Sequence, residues 1–177
     1  AEDGIRDLVR SRGLGDVYKR QAQTPHTFSG IEVALLDLLS KKENCPIYSL
    51  LGMKKTNPKI AYASVLFGKT PEDTFQIAKS LKEKNFKAIK FGWENFGIDL
   101  KKDEEHLIAA RDVMQNDLEL MIDVGAIWGT DVEEAEKRYK IFQNAKITWL
   151  EEPFYSDAFY EYSQLYKKTN LPLAGGE

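Results

Sequence analysis

After Pro58 the sequence alternates between short apolar segments and longer amphipathic segments, and this alternation limits the folds open to the chain. The short segments have the length and the content of β-branched and aromatic residues that strands require, and the longer ones repeat their apolar residues with a helical period. Strands that alternate with helices of this length form βα units and a parallel sheet. The predicted strands are 60–66, 86–91, 118–124, 147–151 and 171–175, and the predicted helices are 71–84, 101–115, 131–143 and 157–168.

Capping sequences mark the starts of two of these helices. Thr70 precedes a proline, Pro71, at the first helical position and an acid, Asp73, in the first turn, an arrangement typical of helix N-termini. Thr130 and Glu133 have the spacing of a capping box, which predicts a helix that begins after Thr130.

The sequence before Pro58 predicts one helix after an irregular start. Residues 1–25 show no clear period, and we expect them to be poorly packed. Ser29 and Glu32 have capping-box spacing and predict a helix start at Ser29, while the sequence at 44–46 predicts its end. The apolar face of this helix consists of Ile31, Ala34, Leu35, Leu38 and Leu39.

Composition excludes several classes of function. Apolar residues make up 42% and charged residues 30% of the 177, an ordinary globular balance, and the net charge of −3 gives no broad attraction for nucleic acid or a membrane surface. Residues 1–21 are charged and lack the apolar run of a signal peptide. Cys45 is the only cysteine, so we expect a cytoplasmic protein without an internal disulfide, in which this thiol is not a nucleophile.

Four ionisable residues fall where predicted strands end, namely Lys90, Asp123, Glu151 and Glu177. The three carboxylates are separated by 28 and 26 residues, which is about one βα unit each. In a βα barrel the carboxyl ends of all strands open onto one face, where active sites lie. The spacing therefore predicts that these side chains meet at one mouth.

The residues two positions before each carboxylate share its strand face, because side chains alternate along a strand. They are Met121, Trp149 and Gly175, which suit the packed interior of a barrel. Three carboxylates at one mouth would repel one another unless a cation lay between them, and hard oxygen ligands favour magnesium. Acids that follow strands are also common as helix caps or solvated loop residues, so spacing alone leaves both interpretations open.

Six segments match an ordered family pattern: SGIEVALLDL at 29–38, PIYSLLG at 46–52, FKAIK at 86–90, LMID at 120–123, WLEEP at 149–153 and PLAGGE at 172–177. In this order they resemble the enolase superfamily, in its mandelate racemase and muconate-lactonising branch, and most closely the sugar-acid dehydratases. The resemblance covers residues 27–177. It implies an α/β fold, a partial (β/α) barrel of the TIM type with about five strands and four helices.

The resemblance also implies roles for the residues at the strand ends. Asp123, Glu151 and Glu177 match the magnesium ligands of the family, and Lys90 matches the first lysine of its Lys-x-Lys pair, which supports charge near the substrate carboxylate. The implied reaction is removal of the α-proton of a sugar acid through an enediolate, followed by dehydration. The implied partner is a small carboxylate substrate, and the parent enzyme is expected to be a homo-oligomer.

Two positions depart from the family pattern. Gly92 stands in place of the second lysine, which is usually a base, so we expect the base to be a histidine encoded beyond residue 177 and dehydration to outrank racemisation. Gly125 stands where the family often has Asn, a milder change. The alternatives are a racemase, epimerase or cycloisomerase of the same superfamily, or an inactive fragment without catalytic function.

The resemblance divides the chain into three parts. Residues 1–26 match nothing in the family and are interpreted as a foreign or disordered segment. Residues 27–57 resemble the helix and linker from a mostly missing capping domain, and residues 58–177 the first five strands of a (β/α)7β-like barrel. Because strands six to eight and the family's Asp–His dyad would lie further along, we expect the 177-residue chain itself to be inactive.

The positions of two histidines and two tryptophans predict their surroundings. His106 follows three acids in a predicted helix and is expected to be a solvated surface residue, and His26 a loop residue. Trp93 and Trp128 each follow a predicted strand closely. Either indole could line a substrate mouth, although packing within a loop is the favoured interpretation.

Overall fold

The computed structural model describes residues 14–55 and 57–176, and of residues 14–27 the backbone alone. The chain divides into two compact units, Ala1–Pro58 and Lys59–Glu177. The predictions for residues 1–13 and for the side chains of His26 and Glu177 lie outside the described residues.

The first unit contains a long helix α1, Leu14–Glu43, and a short helix α2, Ile47–Leu50. The predicted end of α1 is confirmed, since Asn44 has a left-handed φ of 49° and Cys45 N–H donates to the Ser40 carbonyl at 3.1 Å. The predicted start at Ser29 is wrong, because the helix begins at Leu14, while the expectation that residues 1–25 are poorly packed stays a prediction. The sequence YKRQAQ at 18–23 lacks an apolar period but consists largely of strong helix formers, so the helix continues through it.

The second unit is built on a five-stranded sheet in which every neighbouring pair is parallel and the spatial order is that of the sequence. A βα repeat with this order is the arrangement of a barrel that has not closed within the described residues. The strands are β1 Ala63–Leu66, β2 Ala88–Gly92, β3 Glu119–Asp123, β4 Trp149–Glu151 and β5 Leu173–Ala174. The helices are α3 Pro71–Glu83, α4 Leu100–Met114, α5 Val132–Lys137, α6 Tyr139–Asn144 and α7 Phe159–Thr169.

The predicted α/β class and the alternation of elements are confirmed, with two corrections in detail. The predicted helix 131–143 is two helices, α5 and α6, which meet at Arg138. The cap at Thr130 is wrong, because the Asp131 carboxylate accepts the Glu134 N–H at 3.1 Å and takes that role one residue later. The cap at Thr70 is confirmed as a capping box with Asp73.

The core of this unit lies between the sheet and its helices. All five residues of β2 are buried, as expected for a central parallel strand covered on both faces. Ile89, Leu120 and Leu150 on neighbouring strands are fully buried within the apolar core that joins the sheet to its helices. These contacts fix the carboxyl ends of the strands relative to one another, and so fix the side chains at those ends.

A buried polar cluster joins the loops after β2 and β3. The Asp103 carboxylate accepts from Arg138 Nε at 2.7 Å and from the Gly97 N–H at 2.9 Å, while the Gly97 carbonyl accepts from Arg138 Nη2 and from the Trp128 indole. Asp103 and Arg138 are almost fully buried, which makes the pairing obligatory. Burial raises the pKa of Asp103, although the hydrogen bond from Arg138 acts against that rise.

His106 is buried, and the prediction of a solvated residue is wrong. Only 5% of it is exposed, its Nδ1 lies 2.8 Å from Thr74 Oγ1, and its ring packs edge-on against Phe67. The acids that precede His106 suggest a wholly solvated helix start, but every third or fourth residue of α4 faces the core, and His106 shares that face with Asp103 and Ala110. Burial lowers the pKa of His106, while Asp103 and other nearby carboxylates act to raise it.

None of the helices within residues 14–55 and 57–176 combines the length and the apolar character that a membrane span requires.

Candidate active site at the carboxyl ends of the strands

The strand register sets two carboxylates side by side. Asp123 pairs with Gly92 of β2 on one side and with Glu151 of β4 on the other, and Glu151 pairs with Ala174 of β5. Each of these positions is the last of its strand, so one row of the sheet presents the Asp123 and Glu151 side chains at the same edge. Neighbouring parallel strands are about 4.8 Å apart, so the two side chains are within reach of one shared cation.

The cation that these carboxylates share is the ammonium of Lys90. Lys90 Nζ lies 2.5 Å from Glu151 Oε1 and 3.3 Å from Asp123 Oδ2. Lys90 precedes Gly92 by two residues, so both lie on the same face of β2 and the long lysine side chain reaches up to the carboxylate row. The side chains of all three residues are at most 15% exposed, which strengthens their electrostatic interaction relative to a surface pair.

The charge state of Lys90 depends on these contacts. Burial alone would lower the pKa of the ammonium, but the hydrogen bonds to Glu151 and Asp123 and the negative charges of those residues outweigh it, and the pKa is raised. Lys90 therefore carries a positive charge throughout the neutral range. A lysine in that state is a poor proton acceptor and a good partner for negative charge.

Two indole groups bind the remaining carboxylate oxygens. Trp93 Nε1 donates to Asp123 Oδ1 at 3.2 Å, and Trp149 Nε1 donates to Glu151 Oε2 at 3.0 Å. The backbone N–H of Gly125 also donates to Asp123 Oδ1, at 3.1 Å. Each carboxylate thus has one oxygen on an indole and the other on the Lys90 ammonium.

Beside this cluster lies a shallow pocket of about 180 Å³, with β1 on one side and the ends of β2 and β3 on the other. Gly92 forms part of its lining, so the absence of a side chain there leaves the space open. The residues that line the pocket are Ser64, Val65, Leu66, Lys90, Gly92, Trp93 and Asp123.

An aromatic side chain lies against Lys90 from the direction of β1. Lys90 Nζ lies 5.8 Å from the centroid of the Tyr62 ring, within the range of a cation–π contact. Tyr62 in turn packs edge-on against Trp149, with ring centroids 6.1 Å apart. The cluster therefore combines two carboxylates and an ammonium with an aromatic wall.

The structure brings together three of the four residues predicted for this site. Lys90, Asp123 and Glu151 converge, whereas Glu177 lies outside the described residues and its place in the site stays a prediction. Within residues 14–55 and 57–176 no three His, Cys, Asp or Glu side chains are grouped as a metal site would require. The two described carboxylates nevertheless suit a hard cation, because they offer charged oxygens and already hold an ammonium.

Sequence reasoning missed the polar roles of two tryptophans. Trp149 is predicted for the packed interior, although its position two residues before Glu151 on one strand face is a usable signal for the hydrogen bond observed. Trp93 is 56% exposed, yet its ring lies against Gly125 in the loop after β3, so its place at a substrate mouth stays a prediction. The loop-packing interpretation is confirmed for Trp128, which is buried and donates to the Gly97 carbonyl.

The comparison with protein families agrees with this fold. Residues 74–177 match the family described as enolase C-terminal domain-like, and the match covers more than half of the chain. The parallel α/β sheet with carboxylates at its strand ends is the arrangement of a βα-barrel scaffold. The chain belongs to the enolase C-terminal domain-like family.

Two curated relatives are enzymes with different reactions. The chain is 26% identical over 149 residues to N-succinyl-L-Arg/Lys racemase of Bacillus cereus, and 27% identical over 154 residues to arabinonate dehydratase of Saccharolobus solfataricus. Both alignments cover 84% of this chain and 39% of the relative. The chain thus spans about two fifths of the length of the relatives that it matches.

Solved structures are similar to this chain over a comparable part of their length. A protein of Rhodobacter sphaeroides described as a predicted mandelate racemase is 40% identical, with a TM-score of 0.79 over 88% of this chain and 40% of its own. An enolase from Bradyrhizobium, solved as a complex with magnesium and mandelic acid, is 27% identical, with a TM-score of 0.72 over 84% of this chain and 40% of its own.

Proposed function

We propose that the protein to which these residues belong is a magnesium-dependent enzyme that removes the α-proton of a sugar acid and dehydrates it. The observation that carries the proposal is the convergence of Asp123 and Glu151 on one shared cation position at the carboxyl ends of the strands. Such a position, in a scaffold of this family, is where a negatively charged substrate would be bound and polarised.

Asp123, Glu151 and Glu177 are the residues that would hold the metal. Glu177 enters this set on the resemblance of the segment PLAGGE, and the other two also on their geometry. When bound, magnesium would offset the negative charge that grows on the substrate carboxylate as the α-proton leaves.

Lys90 acts in this proposal by charge and not as a base. Its ammonium lies at the carboxylate pair that would hold the metal, so it would stand beside a substrate carboxylate bound to that metal. An ammonium fixed there before substrate arrives stabilises developing negative charge without a reorganisation cost during the reaction.

Gly92 favours dehydration, because racemisation by a two-base mechanism would need a second base at this position. A residue without a side chain at this position of β2 supplies no proton acceptor beside Lys90, so one face of the substrate lacks the base that a two-base racemase needs. The dehydratases among the relatives, which act on arabinonate, gluconate and galactonate, support the choice of sugar acids.

Racemisation or cycloisomerisation is the second candidate. The similarity to the B. cereus racemase favours it, as does a structural likeness to 3,6-anhydro-D-galactonate cycloisomerase of Zobellia galactanivorans, with a TM-score of 0.75 and 27% identity. Either reaction shares the removal of an α-proton with dehydration and differs from it in the fate of the intermediate.

The test uses the protein encoded by the reading frame that contains these 177 residues. It is incubated with magnesium and a panel of sugar acids in deuterated water, and the products are observed by proton NMR. We expect a 2-keto-3-deoxy acid from at least one substrate, and loss of the reaction on chelation of the metal. Deuterium exchange or inversion without dehydration would favour the second candidate. Turnover that persists in a metal chelator would contradict both.

A further inference from the structure

We infer that Trp93 and Trp149 are positioning residues that fix which oxygen of Asp123 and of Glu151 faces the shared cation position. This inference rests on the proposed function for the identity of the cation, and on geometry for the positioning itself. The two tryptophans come from different strand regions of the sequence, yet each donates to a different one of the two carboxylates.

The hydrogen bonds divide each carboxylate in the same way. On Asp123, Oδ1 accepts from the Trp93 indole and Oδ2 faces Lys90 Nζ. On Glu151, Oε2 accepts from the Trp149 indole and Oε1 faces Lys90 Nζ. The two oxygens left by the indoles are therefore the two that meet at one cation.

The chemistry of an indole suits this role. Its N–H only donates, so it defines the acceptor oxygen without ambiguity, and its rigid ring fixes the direction of the donor. Because the donor is neutral, it leaves the full negative charge of the carboxylate available to a cation. Outer-sphere donors of this kind orient metal-binding carboxylates in other proteins.

Each indole is held by a dedicated local arrangement. Trp149 lies two residues before Glu151 on the same face of β4 and packs against Tyr62. Trp93 comes directly after β2 with a left-handed φ of 55°, a strained conformation for a non-glycine residue. It lies directly over Gly125, where an added Cβ would come within 2.7 Å of Trp93 Nε1.

Burial does not explain the placement of Trp93. Within the described residues more than half of this large side chain is exposed, so its contacts there gain little from the hydrophobic effect. In this conformation the Trp93 indole donates to Asp123, and Gly125 permits the close approach.

The test compares three Trp→Phe variants of the chain, each of which removes one indole N–H and keeps an aromatic ring. Magnesium affinity is measured by titration calorimetry. We expect Trp93→Phe and Trp149→Phe to bind magnesium about 10–100-fold more weakly, the range found for lost outer-sphere partners. Trp128→Phe is the matched control, because its indole donates to the Gly97 carbonyl, and its magnesium affinity should equal that of the unsubstituted chain.

A second readout does not depend on the metal. The indole N–H resonances are recorded by nitrogen-15 NMR in the unsubstituted chain and in Asp123→Asn and Glu151→Gln. We expect the Trp93 resonance to move in the first variant and the Trp149 resonance in the second, while Trp128 stays unchanged. If both resonances respond but the chain binds no magnesium, the metal assignment fails and the positioning stands. Unmoved resonances, or full magnesium affinity in both site variants, would overturn the inference.

Discussion

Asp123 and Glu151 occupy paired positions on β3 and β4, and each directs one carboxylate oxygen at the same ammonium, that of Lys90. Parallel strands place equivalent positions side by side, so two acids 28 residues apart in sequence come to share a cation. The shared ammonium offsets the repulsion between the two like charges at this edge of the sheet. The pairing also makes Lys90 the resident occupant of the position at which we place magnesium.

Glu151→Gln removes one negative charge and changes the side-chain volume little. In the enzyme of the full reading frame we expect turnover to fall by more than the roughly 10–100-fold that loss of an outer-sphere partner costs. The melting midpoint should fall only modestly, because the single amide oxygen can still accept from Lys90 or from Trp149 and Asp123 remains as a counter-charge for Lys90. Glu119→Gln is the control, since Glu119 is an exposed acid at the opposite end of β3. Equal turnover in the two variants would exclude a role for Glu151.

Lys90→Met is expected to separate metal binding from catalysis. Loss of the ammonium removes a positive charge that competes for Asp123 and Glu151, so magnesium should bind on the order of tenfold more tightly in a partly buried site. Turnover should fall at the same time, because charge stabilisation is lost. Lys87→Met, at an exposed position just before β2, serves as the control. Weaker magnesium binding in Lys90→Met would show that Lys90 supports the site by structure and not by charge.

Much of the sheet and part of the site could be predicted because the signals are local. Apolar segments of strand length, caps such as Thr70 and the positions of Lys90, Asp123 and Glu151 at strand ends are all read directly along the chain. Parallel pairing then converts equal positions in successive strands into neighbours. The prediction of where α1 starts was wrong because it relied on an apolar period. The residues before Ser29 lack that period but have a high helix propensity, so the helix continues through them.

The pH dependence of stability should report the burial of His106. Its pKa is lowered below the usual 6.5 in the folded chain, so the unfolded state binds more protons as the pH falls through about 6.5. The free energy of unfolding should therefore decrease on acidification through this range, with a slope of up to about 1.4 kcal/mol per pH unit from this residue. Chemical unfolding at several pH values measures it.

His106→Asn is the variant for comparison, since the amide oxygen can accept from Thr74 but does not titrate. Carboxylates titrate in both proteins, so the difference between the two curves isolates the histidine. A histidine that remained solvated would give parallel curves.

Arg138→Leu should destabilise the chain through the charge that it leaves behind. Asp103 would remain buried with the Gly97 N–H as its other partner, and breaking a buried pair on one side costs about 3–5 kcal/mol. We expect the double variant with Asp103→Leu to recover part of this loss. Lys168→Met, which removes an exposed pair with Glu136, should leave the melting midpoint unchanged. Equal midpoints for Arg138→Leu and Lys168→Met would contradict the account of the buried cluster.

The parts of the structure that the sequence did not reveal depend on contacts between distant residues. The pairing of His106 with Thr74 spans 32 positions, and that of Arg138 with Asp103 spans 35. Neither pairing can be predicted from the local sequence pattern. A polar residue on a helix is expected to be solvated unless the element that covers it is known. The hydrogen bond from Trp93 to Asp123 depends on a left-handed backbone at Trp93, which tryptophan rarely adopts. It also depends on the close approach of the indole to Gly125.

Magnesium titration of the chain by calorimetry, compared with Asp123→Asn, tests whether Asp123 is a metal ligand. We predict saturable binding of one ion per chain, weakened by at least about tenfold when one ligand charge is lost. Asp117→Asn, at an exposed position just before β3, should bind as the unsubstituted chain does. If Asp123→Asn binds magnesium with the same affinity as the unsubstituted chain, Asp123 is not a metal ligand and the proposed site is wrong.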